Sequence, residues 1–218
     1  MADFIPAVLP EAVGPVLEWL DFAGVFVFAA SGALLAAAKR QTLVTFIFFA
    51  AITGVGGGTV RDLLIGAPVF WIGENGVLLI CVAAALIVWL LPRRWLEGRL
   101  LDWLDAAGLA AYASFGAAKG LAFGVAPIPA IGMGVLTACL GGIIRDVLAG
   151  EPSVLMRSEL YVTAAALSAA AMVGLLLAGV SEALAGAIAA VAGFGLRGAA
   201  IWKGWSLPAY GRGRPRRE

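Results

Sequence analysis

The residues of this sequence best suited to chemistry are two Arg-Asp pairs, each of which follows a group of glycines inside a long apolar stretch. The first pair is Arg61-Asp62 and the second is Arg145-Asp146. Ionisable groups within a membrane span are costly, so they are candidates for function. The chain has no histidine, which excludes the common zinc, triad and histidine-base sites. The sequence therefore predicts solute movement and no enzymatic activity.

The glycines before each pair predict weakened helices. Each glycine costs about 1 kcal/mol relative to alanine in a helix interior, so the runs favour a kink or break near mid-membrane. Backbone carbonyls freed there would favour a cation. The alternative is close helix packing, because Gly54 and Gly58 form a GxxxG motif. The candidate pore-lining or kink residues are Thr53, Gly54, Gly56, Gly57, Gly58, Thr137, Gly141 and Gly142.

The charged residues can act as a structural clamp, as a pore lining, or as both. Neighbours in a helix point about 100° apart and do not face each other. The sequence therefore predicts pairing across the two segments, of Arg61 with Asp146 and of Arg145 with Asp62. Lys119 is either an interfacial lysine that snorkels or a gating charge over the pore mouth.

The composition indicates an integral membrane protein. Of 218 residues, 62% are apolar and 13% are charged, with a mean hydropathy of +0.98; a soluble domain has about 25% charged residues. The net charge of +1 gives no basis for nucleic-acid binding. Cys81 and Cys139 lie in apolar runs, so we expect them to pack as small hydrophobes. No metal or cofactor is predicted.

Seven apolar stretches are long enough to cross a bilayer, which needs about 20 residues per helix. The segments between them leave no room for a soluble domain, so we expect one membrane domain over residues 1–218. Eleven of the fifteen basic residues fall in alternate joins and in the tail 203–218, which predicts an external N-terminus and a cytoplasmic C-terminus. The spans lie near 16–38, 42–65, 70–91, 102–119, 127–149, 158–179 and 183–202.

An internal repeat relates the two halves of the chain. At an offset of 84 residues, Asp21 aligns with Asp105, Gly57 with Gly141, and Arg61-Asp62 with Arg145-Asp146. Each copy carries three spans, over about 16–91 and 102–179. An odd number of spans places the second copy upside down, so we expect an inverted 3+3 pair plus a seventh helix, an arrangement typical of proteins that move solutes.

These features resemble the TRIC family of trimeric intracellular cation channels, in its prokaryotic branch. The resemblance rests on seven spans, on doubled GGxxRD segments each followed by Gly-x-Pro, and on Ser31-Gly32-Ala33 in the first helix. It implies a homotrimer with one pore per protomer, permeable to K⁺ and also Na⁺. We expect a prokaryotic plasma membrane, with membrane lipid as a partner. The resemblance also implies that Lys119 corresponds to a basic residue linked to voltage-dependent gating.

Two other functions fit the same features. A secondary transporter of a small solute also uses inverted repeats and broken helices. A structural membrane subunit whose glycines only pack would show no flux.

Overall fold

The described part of the chain folds into seven α-helices. The structure is a computed structural model, and it describes residues 15–92, 99–156 and 160–208, with side chains from residue 21 onward. An all-α fold with seven helices is confirmed for these ranges. The helices are α1 (Pro15–Ala38), α2 (Leu43–Leu64), α3 (Asn75–Leu90), α4 (Leu100–Ala122), α5 (Pro127–Leu148), α6 (Val162–Leu177) and α7 (Glu182–Lys203), with a 3-10 turn at Val154–Met156.

Helices α2 and α5 end in the same way, as the repeat predicts. Each is followed by a glycine with positive φ, Gly66 at 69° and Gly150 at 67°, a conformation that glycine adopts without steric cost. The next amide bonds back to an aspartate carbonyl, Ala67 to Asp62 and Glu151 to Asp146, both at 2.9 Å. This is the Schellman pattern of a helix C-terminus.

Length and hydropathy qualify four of the helices as membrane spans: α1 from residue 21, α2, α5 and α7. Helices α3 and α6 are apolar but have only 16 residues. Helix α4 has 23 residues but carries Asp102, Asp105 and Lys119. Asp105 and Lys119 of α4 pair with charged groups inside the protein.

The third and sixth helices begin later than predicted. Helix α3 begins at Asn75 instead of residue 70, because residues 70–74 form a turn held by a bond from the Phe70 amide to Asp62 Oδ2 at 3.1 Å. Helix α6 begins at Val162, and residues 158–159 of the predicted span lie outside the described ranges. The basic tail from residue 209 also lies outside them.

The two copies contact each other reciprocally. A Cβ atom at Gly24 of α1 would overlap the Tyr112 ring of α4, and one at Gly108 of α4 would lie 3.1 Å from the Phe28 ring of α1. Along these contacts the residue numbers increase on α1 while they decrease on α4, so the two helices are antiparallel. An inverted repeat related by a twofold axis produces this exchange of equivalent contacts.

At one end of the bundle lie connecting segments that the sequence assigns to the same side of the membrane. Lys39, after α1, forms an ion pair with Glu151, after α5. Arg99, before α4, donates to the carbonyl of Ile201 near the end of α7 at 2.7 Å. These contacts agree with the predicted shared side, while its cytoplasmic identity stays a prediction.

Candidate functional site

Helices α2 and α5 cross at their glycines with backbone in contact. A Cβ atom at Gly57 would collide with the carbonyl oxygen of Thr137, and one at Gly141 would lie 2.5 Å from the carbonyl oxygen of Thr53. Both helices are continuous through these glycines, so the expected break is absent there. A bend of the helix axes stays a prediction. The glycines at this crossing allow backbone to approach backbone.

The two threonines at the crossing are closed off from solvent. Thr53 and Thr137 are each 1% exposed. Each hydroxyl donates to a carbonyl four residues earlier in its own helix, Phe49 and Met133, at 2.6 Å. In this state the threonine oxygens are satisfied within the helices, and their role in lining a pore stays a prediction.

The remaining candidate glycines make room for side chains. A Cβ at Gly54 would lie 3.1 Å from Cys81 Sγ, one at Gly56 3.3 Å from Ile144, and one at Gly58 2.7 Å from the Phe70 ring. A Cβ at Gly142 would lie 3.0 Å from the Tyr161 hydroxyl oxygen. Close packing of neighbouring side chains therefore explains why glycine occupies these four positions.

A buried ionic group that we call the Asp62 cluster lies at the C-terminal end of α2. It consists of Arg61, Asp62 and Lys119. Asp62 Oδ1 accepts from Arg61 Nε and Nη2, each at 2.8 Å, and from Lys119 Nζ at 2.9 Å. Asp62 is completely buried, and the Lys119 side chain is 20% exposed. The ammonium of Lys119 is therefore directed to a buried carboxylate, and it does not snorkel toward the interface.

Aromatic rings enclose the arginine of this cluster. The Arg61 guanidinium carbon lies 5.1 Å from the centre of the Phe115 ring and 5.9 Å from that of Phe70, within range of a cation–π attraction. Its Nη1 atom is buried and has no hydrogen-bond partner among the described residues. Beside it, the Trp71 indole donates to Thr59 Oγ1 at 2.8 Å.

The equivalent group at the end of α5 is the Asp146 cluster, which consists of Arg145, Asp146, Asp105 and Ser31. Arg145 donates to Asp146 through Nε and Nη2 at 2.9 Å. Its Nη1 atom donates to both Asp105 Oδ1 and Ser31 Oγ at 3.0 Å. Asp146 Oδ2 accepts from the Val154 amide, 84 residues after the matching bond at Phe70. One arginine here is shared by two carboxylates.

The prediction that the charges pair across the copies is wrong. Each arginine bonds to the aspartate that follows it, because the long arginine side chain reaches around the helix. Helices α2 and α5 are antiparallel, since Gly57 meets Thr137 while Gly141 meets Thr53. Each pair lies about five residues, or about 7 Å, beyond the crossing toward opposite ends. Arg61 and Asp146 are therefore far apart.

The two ends differ where Lys119 stands. Its counterpart in the first copy is Leu35 (119 − 84 = 35). Leu35 lines a cavity of about 90 Å³ together with Asp105, Arg145 and Asp146. Asp102, Glu151, Arg197, Leu101 and Val154 complete the lining. An ammonium thus closes one end of the site, and at the other end a cavity bordered by four carboxylates remains.

The sequence interpretation missed three side chains of this site. Asp105 bonds to Arg145, and Tyr112 Oη donates to Asp21 Oδ1 at 3.0 Å. Asp21 and Asp105 are aligned acids within predicted spans, so the rule that intramembrane charges are functional could have found both. Tyr112 left no such signal, since tyrosine is common in membrane helices near interfaces.

A family model described as "Glycine transporter" matches the chain twice, over residues 18–93 and 102–177. The second match begins 84 residues after the first (102 − 18 = 84). This independent comparison finds the same duplication as the sequence alignment of the two halves.

Relatives with similar sequences are named as membrane proteins. A UPF0126 membrane protein of Vibrio cholerae is 40% identical over 153 residues, which are 68% of this chain and 63% of that protein. The chain thus spans a little under two thirds of that relative. The UPF0126 inner membrane protein YadS of Escherichia coli K12 is 40% identical over 149 residues, or 67% of this chain and 72% of YadS.

The fold also matches a crystal structure of the trimeric intracellular cation channel orthologue from Rhodobacter sphaeroides. The TM-score is 0.81 and the identity 42%, with 87% of this chain and 99% of that chain covered.

Proposed function

Because the chain belongs to the TRIC family of membrane proteins, whose solved members are cation channels, we propose that it is a channel for monovalent cations. The observation that carries the proposal is the 42% identity and TM-score of 0.81 to the Rhodobacter sphaeroides channel over nearly all of that chain. We propose that K⁺ is the main permeant ion and that Na⁺ also passes, with only weak discrimination between the two. Nothing in the sequence provides a TVGYG-type carbonyl filter.

The charges at the two ends support a cation as the moving ion. The cavity beside Leu35 has four carboxylates and two guanidinium groups on its wall. A wall with an excess of negative charge raises the local concentration of cations. A cation that enters there meets Arg145, whose charge is already matched by Asp105 and Asp146.

We propose that the structure represents a closed state. Backbone contact between α2 and α5 at Gly57 and Gly141 leaves no space for an ion at the crossing. Conduction therefore requires the two helices to move apart or bend at these glycines. The candidate pore-lining residues become accessible only in that open state.

Lys119 is the proposed gating charge. Its ammonium joins α4 to Asp62 at the end of α2, so this ion pair holds one mouth of the path closed. A charge inside the membrane field experiences about 2.3 kcal/mol per 100 mV if it crosses the whole field. Voltage can therefore shift the equilibrium between the paired and separated states of Lys119 and Asp62.

The assembly and orientation belong to the same proposal. The solved neighbour is a trimeric channel, and we propose a homotrimer with one pore in each protomer. The N-terminus would be external and the C-terminus cytoplasmic, in a prokaryotic plasma membrane. The permeant ion is the only ligand that conduction requires, and lipid bound between protomers would act as a structural partner.

Glycine transport is the second candidate. The family model that matches both halves carries that description, and an inverted repeat also supports alternating access in transporters. A transporter would show uptake that saturates with glycine concentration. A channel would show discrete currents that do not depend on glycine.

Planar-bilayer recording of the purified protein under a KCl gradient tests the proposal. We expect unitary currents that reverse near the K⁺ potential, with a voltage response altered in Lys119→Ala. Lys203→Ala is a matched control, because Lys203 is an exposed lysine at the end of α7. Absence of currents, with saturable uptake of labelled glycine into proteoliposomes, would replace the channel by a transporter.

A further inference from the structure

The two buried arginines have different sets of partners although their surroundings are duplicated. Arg145 Nη1 donates to Asp105 and Ser31. Arg61 Nη1 is buried and has no partner among the described residues. A buried guanidinium nitrogen without an acceptor keeps its desolvation cost. The Asp62 cluster therefore lacks a contact that the Asp146 cluster makes.

The repeat identifies the side chain that would supply this contact. The counterpart of Asp105 is Asp21 (105 − 84 = 21). Its carboxylate instead accepts a bond from Tyr112 Oη at 3.0 Å. The counterpart of Tyr112 is Phe28 (112 − 84 = 28), which has no hydroxyl to compete for Asp105. The two ends therefore differ in the Tyr112 hydroxyl, as well as in Lys119 and in Ser31, whose counterpart is Phe115 (31 + 84 = 115).

Asp21 lies in the neighbourhood of Arg61. It is within electrostatic range of Arg61, Asp62 and Lys119. The Tyr112 ring that holds it lies 6.0 Å from the Phe115 ring, and Phe115 in turn lies against the Arg61 guanidinium. Asp21 is partly buried.

We propose that Asp21 exchanges between Tyr112 and Arg61, and that Tyr112 is a positioning residue that holds this end of the protein closed. The Asp146 cluster shows the alternative pairing, with one arginine shared by two carboxylates. The inference rests on the proposed channel function only for the meaning of closed and open.

The exchange changes which helices are joined. In the structure, α4 has two polar ties at this end, Tyr112 to Asp21 of α1 and Lys119 to Asp62 of α2. When the Asp21 carboxylate moves to Arg61, it joins α1 to α2, and Tyr112 Oη keeps only the Asp21 backbone carbonyl, at 3.2 Å, as a partner on α1. At the opposite end, where no such lysine stands, the cavity beside Leu35 is present. Beside Asp62, Lys119 stays paired, and the exchange loosens the contact of α4 with α1.

The test is Tyr112→Phe, which removes the hydroxyl and keeps the ring that packs edge-on against Phe28. Interhelical hydrogen bonds in membranes have been measured at about 0.6 and at most about 1.7 kcal/mol. This corresponds to a rise of about threefold to twentyfold in the ratio of open to closed protein. Asp21→Asn should lower that ratio, because an amide does not form the ion pair with Arg61.

A distance measurement separates this inference from the channel function. Spin labels at Ile72 and Phe123, which are 70% and 45% exposed, report the separation of the α2 and α4 ends. The labels are attached in a background with Cys81→Ala and Cys139→Ala, and labelled chains are diluted with unlabelled ones. We expect a second, longer distance in Tyr112→Phe that disappears when Asp21→Asn is added. Tyr161→Phe, which removes a buried hydroxyl at the other end, is the control and should leave the distance unchanged.

The measured distances decide whether Asp21 exchanges between Tyr112 and Arg61. A single wild-type distance in Tyr112→Phe, or a second distance that persists with Asp21→Asn, overturns the exchange. If Tyr112→Phe shows the second distance but the protein carries no current, the exchange is supported and the channel function is rejected.

Discussion

Replacing Gly141 by alanine should force the crossing helices apart. The added Cβ would lie 2.5 Å from the Thr53 carbonyl oxygen, where ordinary contact needs 3.4 Å, so the helices must shift by about 0.9 Å (3.4 − 2.5). Overpacking of this kind costs about 1–3 kcal/mol. Because the obstacle is backbone rather than a flexible side chain, we expect a loss of about 2–3 kcal/mol in the free energy of unfolding.

Gly132→Ala provides the matched control in the same helix. A Cβ at Gly132 has nothing within 4 Å, so Gly132→Ala should leave the stability unchanged or raise it by up to about 1 kcal/mol, since alanine favours a helix interior. Unfolding in detergent micelles by added dodecyl sulfate, followed by circular dichroism, measures both variants. Equal stability of Gly141→Ala and Gly132→Ala would refute the close backbone contact at the crossing.

The double variant Gly57→Ala/Gly141→Ala extends this test. Both glycines lie at the same crossing, so their effects are coupled. Once one alanine has separated α2 from α5, the second meets less resistance. We therefore expect a combined loss smaller than the sum of the two single losses, and a strictly additive result would contradict the reciprocal geometry.

Three other variants test the contacts around the site by the same unfolding assay. Asp105→Asn should cost about 1.5 kcal/mol, since it weakens a charged hydrogen bond to Arg145 while the pair with Asp146 remains; wild-type stability would contradict the contact with Asp105. Trp71→Phe should cost about 0.6 kcal/mol, because it removes one bond to a threonine hydroxyl, and a neutral result would dispute that bond. Lys39→Ala should cost less than about 1 kcal/mol, since its pair with Glu151 is about one third exposed, and raising the salt should remove the difference.

The sequence predicted the helices well because their limits are set by local residues. Pro127 begins α5, and glycines with positive φ follow the ends of α2 and α5. The start of α3 was predicted five residues too early. The Phe70 amide bonds to the Asp62 carboxylate, and this tertiary contact holds apolar residues in a turn where their composition favours a helix.

The partners of the charges could not be obtained from spacing alone. Adjacent positions on a helix diverge by about 100°, but arginine has enough length to fold back onto the following aspartate, as Arg61 and Arg145 both do. The pairing of Lys119 with Asp62 depends on how α4 packs beside α2. Such contacts follow from the tertiary arrangement, which no local pattern encodes.

The duplication also has a consequence for how the two membrane faces of the protein came to differ. If the ancestor was a three-helix chain that assembled with an inverted twin, every residue would have occurred at both faces of the membrane. A lysine at the position of Lys119 would then have stood at the position of Leu35 as well. Joining the twins in one polypeptide gave each face its own sequence, so the two mouths could specialise. Ancestral reconstruction of an identical-twin protein would therefore yield one in which both faces behave alike.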